Sequence, residues 1–311
     1  MNIPLPMISV VVPVYNEEQE ISELLDSLML LEWPRDRLEI LCVDNNSTDR
    51  SLEILRSYPI TVLQEPKPGP YAARNLAIRK AKGEFIALTD ADCKVAPTWL
   101  LELWQGFDDE QVGAVGGVII PRTVTNYVDY FEGCIFNNPN HGLGSKEVQP
   151  YVITANVMYR KKVFDEVGLF DEDNFSGPDV EMSWRLIRSN KYTLKILEGE
   201  KGIVYHRYRT RFRDFTYVLQ RDAYGWFYLT SNNSDMAPVP QPWKYFIKVL
   251  RGLVVYPVKT IFRLAIAPFR QTPSQELPQD LMRLVVLWYH FLGTWNAKLA
   301  YDGWQTPRML R

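Results

Sequence analysis

Two aspartates separated by one alanine, Asp90 and Asp92, close the hydrophobic stretch EFIALTDADC at residues 84–93. In an extended backbone, residues two apart point to the same side, so both carboxylates are expected to project together from a strand end. Like charges held that close repel, and a divalent cation bound through oxygen is the simplest remedy. Read alone, an Asp-x-Asp is equally what a polar turn supplies. Other groups of comparable chemistry follow apolar runs elsewhere: Pro13, Tyr15 and Glu17 in and after ISVVVPVY, Asp44 at the end of LEILCVD, and His206 after GIVY. Arg74 stands one turn into a segment opening at Pro70, Asp179 and Glu181 open another at Pro178, and Arg221 lies in QRDAYGWFY.

The elements that must position these groups are legible in the pattern. ISVVVPVY (8–15) is a continuous β-branched run, as in a parallel strand buried on both faces. Ile21, Leu24, Leu25, Leu28 and Leu31 then recur at helical spacing. LEILCVD is a second strand, and Ser47, Thr48 and Asp49 are N-cap types ahead of a helix near 50–57. ITVLQE (60–65) is a third strand, followed by a helix from Pro70 stopped at Gly83, and by the strand EFIALTD. Alternation of this kind predicts an α/β fold, a mostly parallel sheet with helices on both faces, whose ligands sit at the carboxyl ends of the strands. Asn16 with Glu17, Asp44, and Asp90 with Asp92 all fall at such ends. Turn and cap chemistry is the alternative for Asp44 and the favoured reading of Asp49.

Further on, VGAVGGVII, YVITANVMYR, YTLKIL and GIVYH read as strands, with helices over KKVFDEVG and SGPDVEMSWRLIRSN. Residues 121–150, rich in Asn and Gly, read as a long loop able to cover a site. Arg207, Arg209, Arg211 and Arg213 would share one side of an extended segment, facing water, phosphate or anionic lipid. From 236 to 275 there is no acidic residue, while Lys244, Lys248, Arg251, Lys259, Arg263 and Arg270 interrupt aromatic and aliphatic sequence. That pattern, with a second apolar segment at 281–295, suits helices lying at a membrane interface; packing on the rest of the protein with a solvated basic face is the other reading.

Composition narrows the class. The chain has 311 residues, 46% hydrophobic and 23% charged, which suits one large globular core with an appendage. A formal net charge of -2 disfavours nucleic acid as the partner. The three cysteines, Cys42, Cys93 and Cys134, make neither a disulfide framework nor a zinc knuckle and fit a cytoplasmic setting. Without Lys or Arg before Arg35, a secretory leader is not expected.

VVPVYNEE, VDNNSTD, GPYAARNLAIRKAKGEFIALTDADC and SGPDVEMSWRL, in this order, resemble the family 2 glycosyltransferases of the GT-A fold. The resemblance covers roughly residues 7–225. It implies a catalytic domain over 1–230, with a donor half to about 120 and an acceptor half from about 121, and a helical region over 231–311. It implies transfer, with inversion, from a nucleoside diphosphate sugar, UDP favoured, to a hydroxyl acceptor; the basic, apolar C-terminal pattern suggests that the acceptor is a glycan or lipid-linked, in cell-surface polysaccharide or glycolipid synthesis at the cytoplasmic face of a membrane. By position, Pro13, Tyr15, Glu17 and Asp44 would meet the nucleoside, and Arg74, Asp90 and Arg221 the diphosphate. Asp90, Asp92 and His206 would hold Mn²⁺ or Mg²⁺. Asp179 would be the base, although Pro178 replaces the acid that usually precedes it, and Glu181 would bind acceptor or stand in as base. The missing Gln-x-x-Arg-Trp motif points to single transfer rather than polymerisation. A nucleotidyltransferase is disfavoured by the lack of a glycine-rich loop with a trailing lysine, and a dehydrogenase by the lack of Gly-x-Gly-x-x-Gly after ISVVVPVY. A non-catalytic, membrane-associated nucleotide-binding scaffold is the alternative.

Overall fold

A computed structural model describes residues 5–136, 147–174, 176–266 and 276–302. The chain divides into two compact units, Met1–Thr123 with Phe136–Arg207, and Val124–Ile135 with Tyr208–Arg311.

The first unit is built in chain order from β1 (Ile8–Val14), α1 (Ile21–Met29), β2 (Leu38–Asp44), α2 (Ser51–Arg56), β3 (Thr61–Gln64), α3 (Pro70–Lys80), β4 (Phe85–Thr89), β5 (Cys93–Val95), α4 (Trp99–Gln105), β6 (Val112–Gly116) and β7 (Ile119–Pro121). After α5 (Tyr127–Phe136), which belongs to the second unit, come β8 (Asn156–Arg160), α6 (Lys161–Val167), α7 (Pro178–Arg188), β9 (Thr193–Ile196) and β10 (Val204–His206). Seven strands form the main sheet in the order β3-β2-β1-β4-β8-β6-β9. Only β8 runs antiparallel to its neighbours in it. A small sheet, β5-β10-β7, stands beside it.

Alternating residues of β1 feed two cores. Val10, Val12 and Val14 pack with Ile21, Leu24 and Leu28 of α1 and with Trp99 and Leu103 of α4. Val11, with Leu41, Val43 and Leu88, packs on Tyr71, Ala77 and Ile78 of α3 and on Met182 and Leu186 of α7. Both faces are covered, so the uniformly apolar strands the sequence shows are what this sheet requires.

Pro13 sits in a central strand, where a residue without an N–H is normally excluded. The register explains it: the ladder from β1 to β4 runs only from Ile8 to Val11, opposite Phe85 to Leu88. Beyond Val11 the two strands part. Strand order reverses at this place, β1 leading outward to β2 and β3 on one side and β4 beginning the other, and a crevice opens at the carboxyl ends.

Two helices start alike. Gly69-Pro70 opens α3 and Gly177-Pro178 opens α7, with φ of 125° and 92° at the glycines. Proline pre-sets the first helical turn, and the preceding positive φ is open at low cost only to glycine. Helix α3 ends at Lys80 with Ala81 as its cap, two residues before the expected Gly83. Gly83 instead fits close against Ser9, where an added Cβ would lie 2.5 Å from the Ser9 nitrogen.

The second unit holds α5, α8 (Phe212–Asn232), α9 (Pro242–Ile266) and α10 (Glu276–Tyr301), with α10 packed on both α8 and α9. Glycines allow the close approaches: Gly293 of α10 meets the backbone of Gln220, and Gly252 of α9 meets Leu284. Helix α5 corrects the reading of 121–150 as loop throughout. Its start is fixed by Asp129, which accepts from the backbone of Thr125 and Asn126, and by Asn126, which accepts from Val128 N. Asn137, Asn138, Pro139, Asn140, Gly142 and Gly144 lie outside the described residues. The arginine-rich stretch is not one extended face either, since α8 begins at Phe212 and takes Arg213 with it. Expected strand at 151–155 is likewise irregular chain, and β8 begins at Asn156.

Candidate active site

The loops after β1 and β2 are stapled together. Asn16, at φ 55°, accepts from Thr48 N at 2.8 Å, while its own N–H donates to Ser47 Oγ at 3.1 Å. Glu17 N donates to Ser51 Oγ at 2.8 Å, and Glu18 N to Asp49 Oδ2 at 3.0 Å. Asp49 is therefore a loop staple, as turn chemistry anticipates. Asn45 fastens this pair to the approach of α3, donating to the Glu65 and Lys67 carbonyls and accepting from Gly69 N at 2.7 Å. Asp44 is buried at the end of β2, and Ser47 N makes a long 3.4 Å contact with its Oδ1. Tyr15 is exposed, and Pro13 is half-buried.

The geometry of the Asp-x-Asp corrects the starting expectation. Strand β4 stops at Thr89, and Cys93 N donates to the Asp90 carbonyl at 3.1 Å, closing a turn over 90–93. Within that turn the two carboxylates take different partners. Asp90 takes the guanidinium of Arg74, which is buried at the second turn of α3 and lies 5.0 Å from the Tyr71 ring centroid. Asp92 turns to the small sheet, where His206 Nε2 lies 3.5 Å from its Oδ1. Pairing of β5 with β10 sets His206 opposite Cys93 and so fixes this approach.

Potential ligand atoms of Asp92, Cys93 and His206 lie within 4.8 Å of one another. Burial pushes the Cys93 thiol well above its usual range, and a carboxylate and an imidazole stand beside it. Glu17 shows what the place lacks. Burial first, then the negative charge of Asp92, Asp49 and Asp90, raise its carboxyl to about 7. Gathered carboxylates that suppress one another's ionisation, with an imidazole beside them, fit a hard divalent cation such as Mn²⁺ or Mg²⁺.

Asp179 occupies the first turn of α7. Its Oδ1 accepts from Val180 N at 3.0 Å and its Oδ2 from Thr154 N at 3.4 Å. Although part of the residue reaches solvent, the carboxyl lies deep enough that burial raises its pKa, against the lowering effect of the Val180 N–H and of Arg74. Tyr71, Tyr151 and Tyr159 are close enough to feel its charge. Glu181 has a different occupation: both its oxygens accept from Arg185, at 3.1 and 2.9 Å, and Arg185 also donates to the Val167 and Leu169 carbonyls. This clamps α7 to the chain leaving α6. Arg221 stands in the second unit on α8 and donates to Asp222 at 3.0 and 2.9 Å.

Several supporting residues escape sequence reading. Glu20, buried, binds Arg122 and Arg207 behind the Asp92–His206 pair. Asn75 joins α3 to the arm before α7, donating to the Phe170 carbonyl and Glu172 while accepting from Phe170 N. Asn156 accepts from Trp99 and donates to the Val118 and Gly202 carbonyls, tying both sheets.

This arrangement can be set beside known proteins. Residues 9–168 match the model of glycosyl transferase family 2. The chain belongs to that family. Glycosyltransferase AglE of Haloferax volcanii is 30% identical over 196 residues, 60% of this chain and 62% of that protein. The poly(ribitol-phosphate) beta-glucosyltransferase of Bacillus spizizenii is 44% identical over 110 residues, 33% of this chain and 17% of that one. The chain thus spans under two thirds of the length of either relative. Among solved structures, the mannosyltransferase PcManGT of Pyrobaculum calidifontis, in complex with GDP-Man and Mn2+, superposes with a TM-score of 0.63 at 22% identity, over 96% of this chain and 87% of that one. The family 2 chain therefore has the GT-A fold expected from its motifs.

Proposed function

We propose that this chain is an inverting, metal-dependent glycosyltransferase that moves a sugar from a nucleoside diphosphate, UDP favoured, to a hydroxyl of a glycan or lipid-linked acceptor. The observation that carries the reading is the convergence of Glu17, Asp90, Asp92 and His206 where the sheet order reverses, with Asp179 raised by burial at the start of α7. Residues up to about 120 take the donor, with Pro13, Tyr15, Glu17 and Asp44 toward the nucleoside. Residues from about 121 to 230 take the acceptor.

Asp92 and His206 would hold Mn²⁺ or Mg²⁺, with Asp90 next to them. The cation supplies charge neutralisation for the departing diphosphate. Arg74 fixes the Asp90 carboxylate from within the protein. Asp179 accepts the proton of the attacking hydroxyl on the sugar face opposite the leaving group, which inversion requires. A raised pKa makes it a better base than an exposed aspartate. Glu181, already engaged with Arg185, contributes by holding α7, and any acceptor contact it makes comes from that fixed position.

Named relatives that act on poly(ribitol-phosphate), together with the beta-monoglucosyldiacylglycerol synthase of Nostoc, 37% identical over 119 residues, support a cell-envelope polymer or glycolipid as product. Isothermal titration with UDP, GDP and dTDP, each with Mn²⁺ and with chelator, tests the donor assignment. Metal-dependent binding of one nucleotide is expected, and no binding by folded protein would overturn it.

A further inference from the structure

The second unit carries a surface that sugar transfer does not use. On α9, Trp243, Ile247, Leu250, Leu253, Val254 and Val258 are 48% to 67% exposed. At about 100° per residue they fill one arc of roughly 140°. The other side of the helix packs inward: Val249 is buried, and Gly252 is pressed so close to α10 that an added Cβ would lie 2.6 Å from Leu284 Cδ2. The helix therefore turns a small face to its neighbours and a broad apolar face to solvent, the reverse of an ordinary surface helix.

The stripe continues onto α10 through aromatic rings. Phe246, also exposed, lies 5.4 Å from Phe291, whose ring is flanked by Trp288 at 5.5 Å and Trp295 at 5.9 Å, both exposed. Trp residues with an apolar body and a polar edge suit a boundary between hydrocarbon and water. Charge settles which boundary. Lys244, Lys248 and Arg251 are exposed along one edge of the stripe, and no acidic residue occurs from 236 to 275. A second copy of this face would bring a basic edge to a stretch that offers it no acid, whereas anionic headgroups complement it. Among the described residues no helix is long and apolar enough to cross a membrane.

We propose that α9 and the aromatic patch of α10 dock on the anionic surface of a lipid bilayer, with the helix in the membrane plane and its stripe sunk among the headgroups. The inference deepens the acceptor reading above and rests on it for its purpose, because it brings the enzyme to where a lipid-linked hydroxyl is presented. Docking itself needs no transfer.

The test is co-sedimentation of the full chain with vesicles of phosphatidylcholine alone or mixed with phosphatidylglycerol, at low and high salt, with nucleotide titration on the same samples. Binding to the mixed vesicles that weakens with salt is expected. Leu250→Glu with Val254→Glu should weaken it at least about tenfold. Lys244→Gln, Lys248→Gln and Arg251→Gln together should weaken it about a hundredfold, since each basic residue adds roughly a factor of five. All five positions are exposed, so melting temperature and nucleotide affinity should stay unchanged. Three results would overturn docking: no vesicle binding by protein that still binds nucleotide, equal binding to both lipids, or self-association that Leu250→Glu abolishes. Vesicle binding without nucleotide binding would support docking while removing the transferase reading.

Discussion

Arg74 donates to Asp90 from inside the protein, so the first carboxylate of the Asp-x-Asp is held by a buried guanidinium while the second, Asp92, faces His206. One motif thus serves two partners, and each half can be tested separately.

Removing Arg74 should cost stability and donor affinity together. Arg74→Met leaves Asp90 without its cation and is expected to lower stability by about 1–3 kcal/mol, the partial exposure of Asp90 keeping the cost below that of a fully buried pair. Asp90→Asn strands the buried guanidinium instead. Urea melts of both variants and the double variant should give a coupling of about 1–2 kcal/mol, and additive effects would show that the pair is not a unit.

Removal of the metal should act through Asp92 and His206. Nucleotide affinity should fall on chelation in the wild type, while Asp92→Ala and His206→Ala should bind nucleotide weakly whether or not Mn²⁺ is present. A His206→Ala protein that kept full Mn²⁺ dependence would place the ion elsewhere.

Asp179→Asn should lower transfer by about 10²–10⁴-fold while leaving nucleotide binding intact. Loss of binding as well would remove Asp179 from the base role.

The same carboxyl predicts two pH effects. Burial raises its pKa above the ordinary 3.8, so the acid limb of the rate profile should lie above the usual carboxylate range. For stability, an acid whose folded pKa exceeds its unfolded one contributes fully below the unfolded value and loses that contribution as pH rises through the folded value. The melting temperature of Asp179→Asn relative to wild type should therefore increase with pH from about 4 upward, and a flat or falling difference would contradict the buried placement.

Periodicity made the first unit legible, because a sheet covered on both faces demands continuous apolar strands and amphipathic helices of ordinary length. Positions of Glu17, Asp92, Asp179 and His206 followed from those strand and helix ends. The partition of Asp90 from Asp92 did not, since a turn closed by Cys93 N cannot be told from two more extended residues in a local pattern. Helix α5 was hidden for a similar reason: Asn126 and Asp129 look like loop residues until their side chains are seen capping a helix. Asn75, Asn156 and Glu20 act only across long sequence separations, and no spacing rule reports such bonds.

The single reversed strand has a consequence for how such an enzyme can diversify. Because β8 runs against its neighbours, its beginning rather than its end lies at the crevice, and the chain arriving there delivers Thr154 to Asp179 just before entering the sheet. The chain between Pro121, where β7 ends, and that arrival carries α5 and lies outside the seven-stranded sheet. Changing the residues next to Thr154 would alter what meets Asp179 without changing one rung of the seven-stranded ladder.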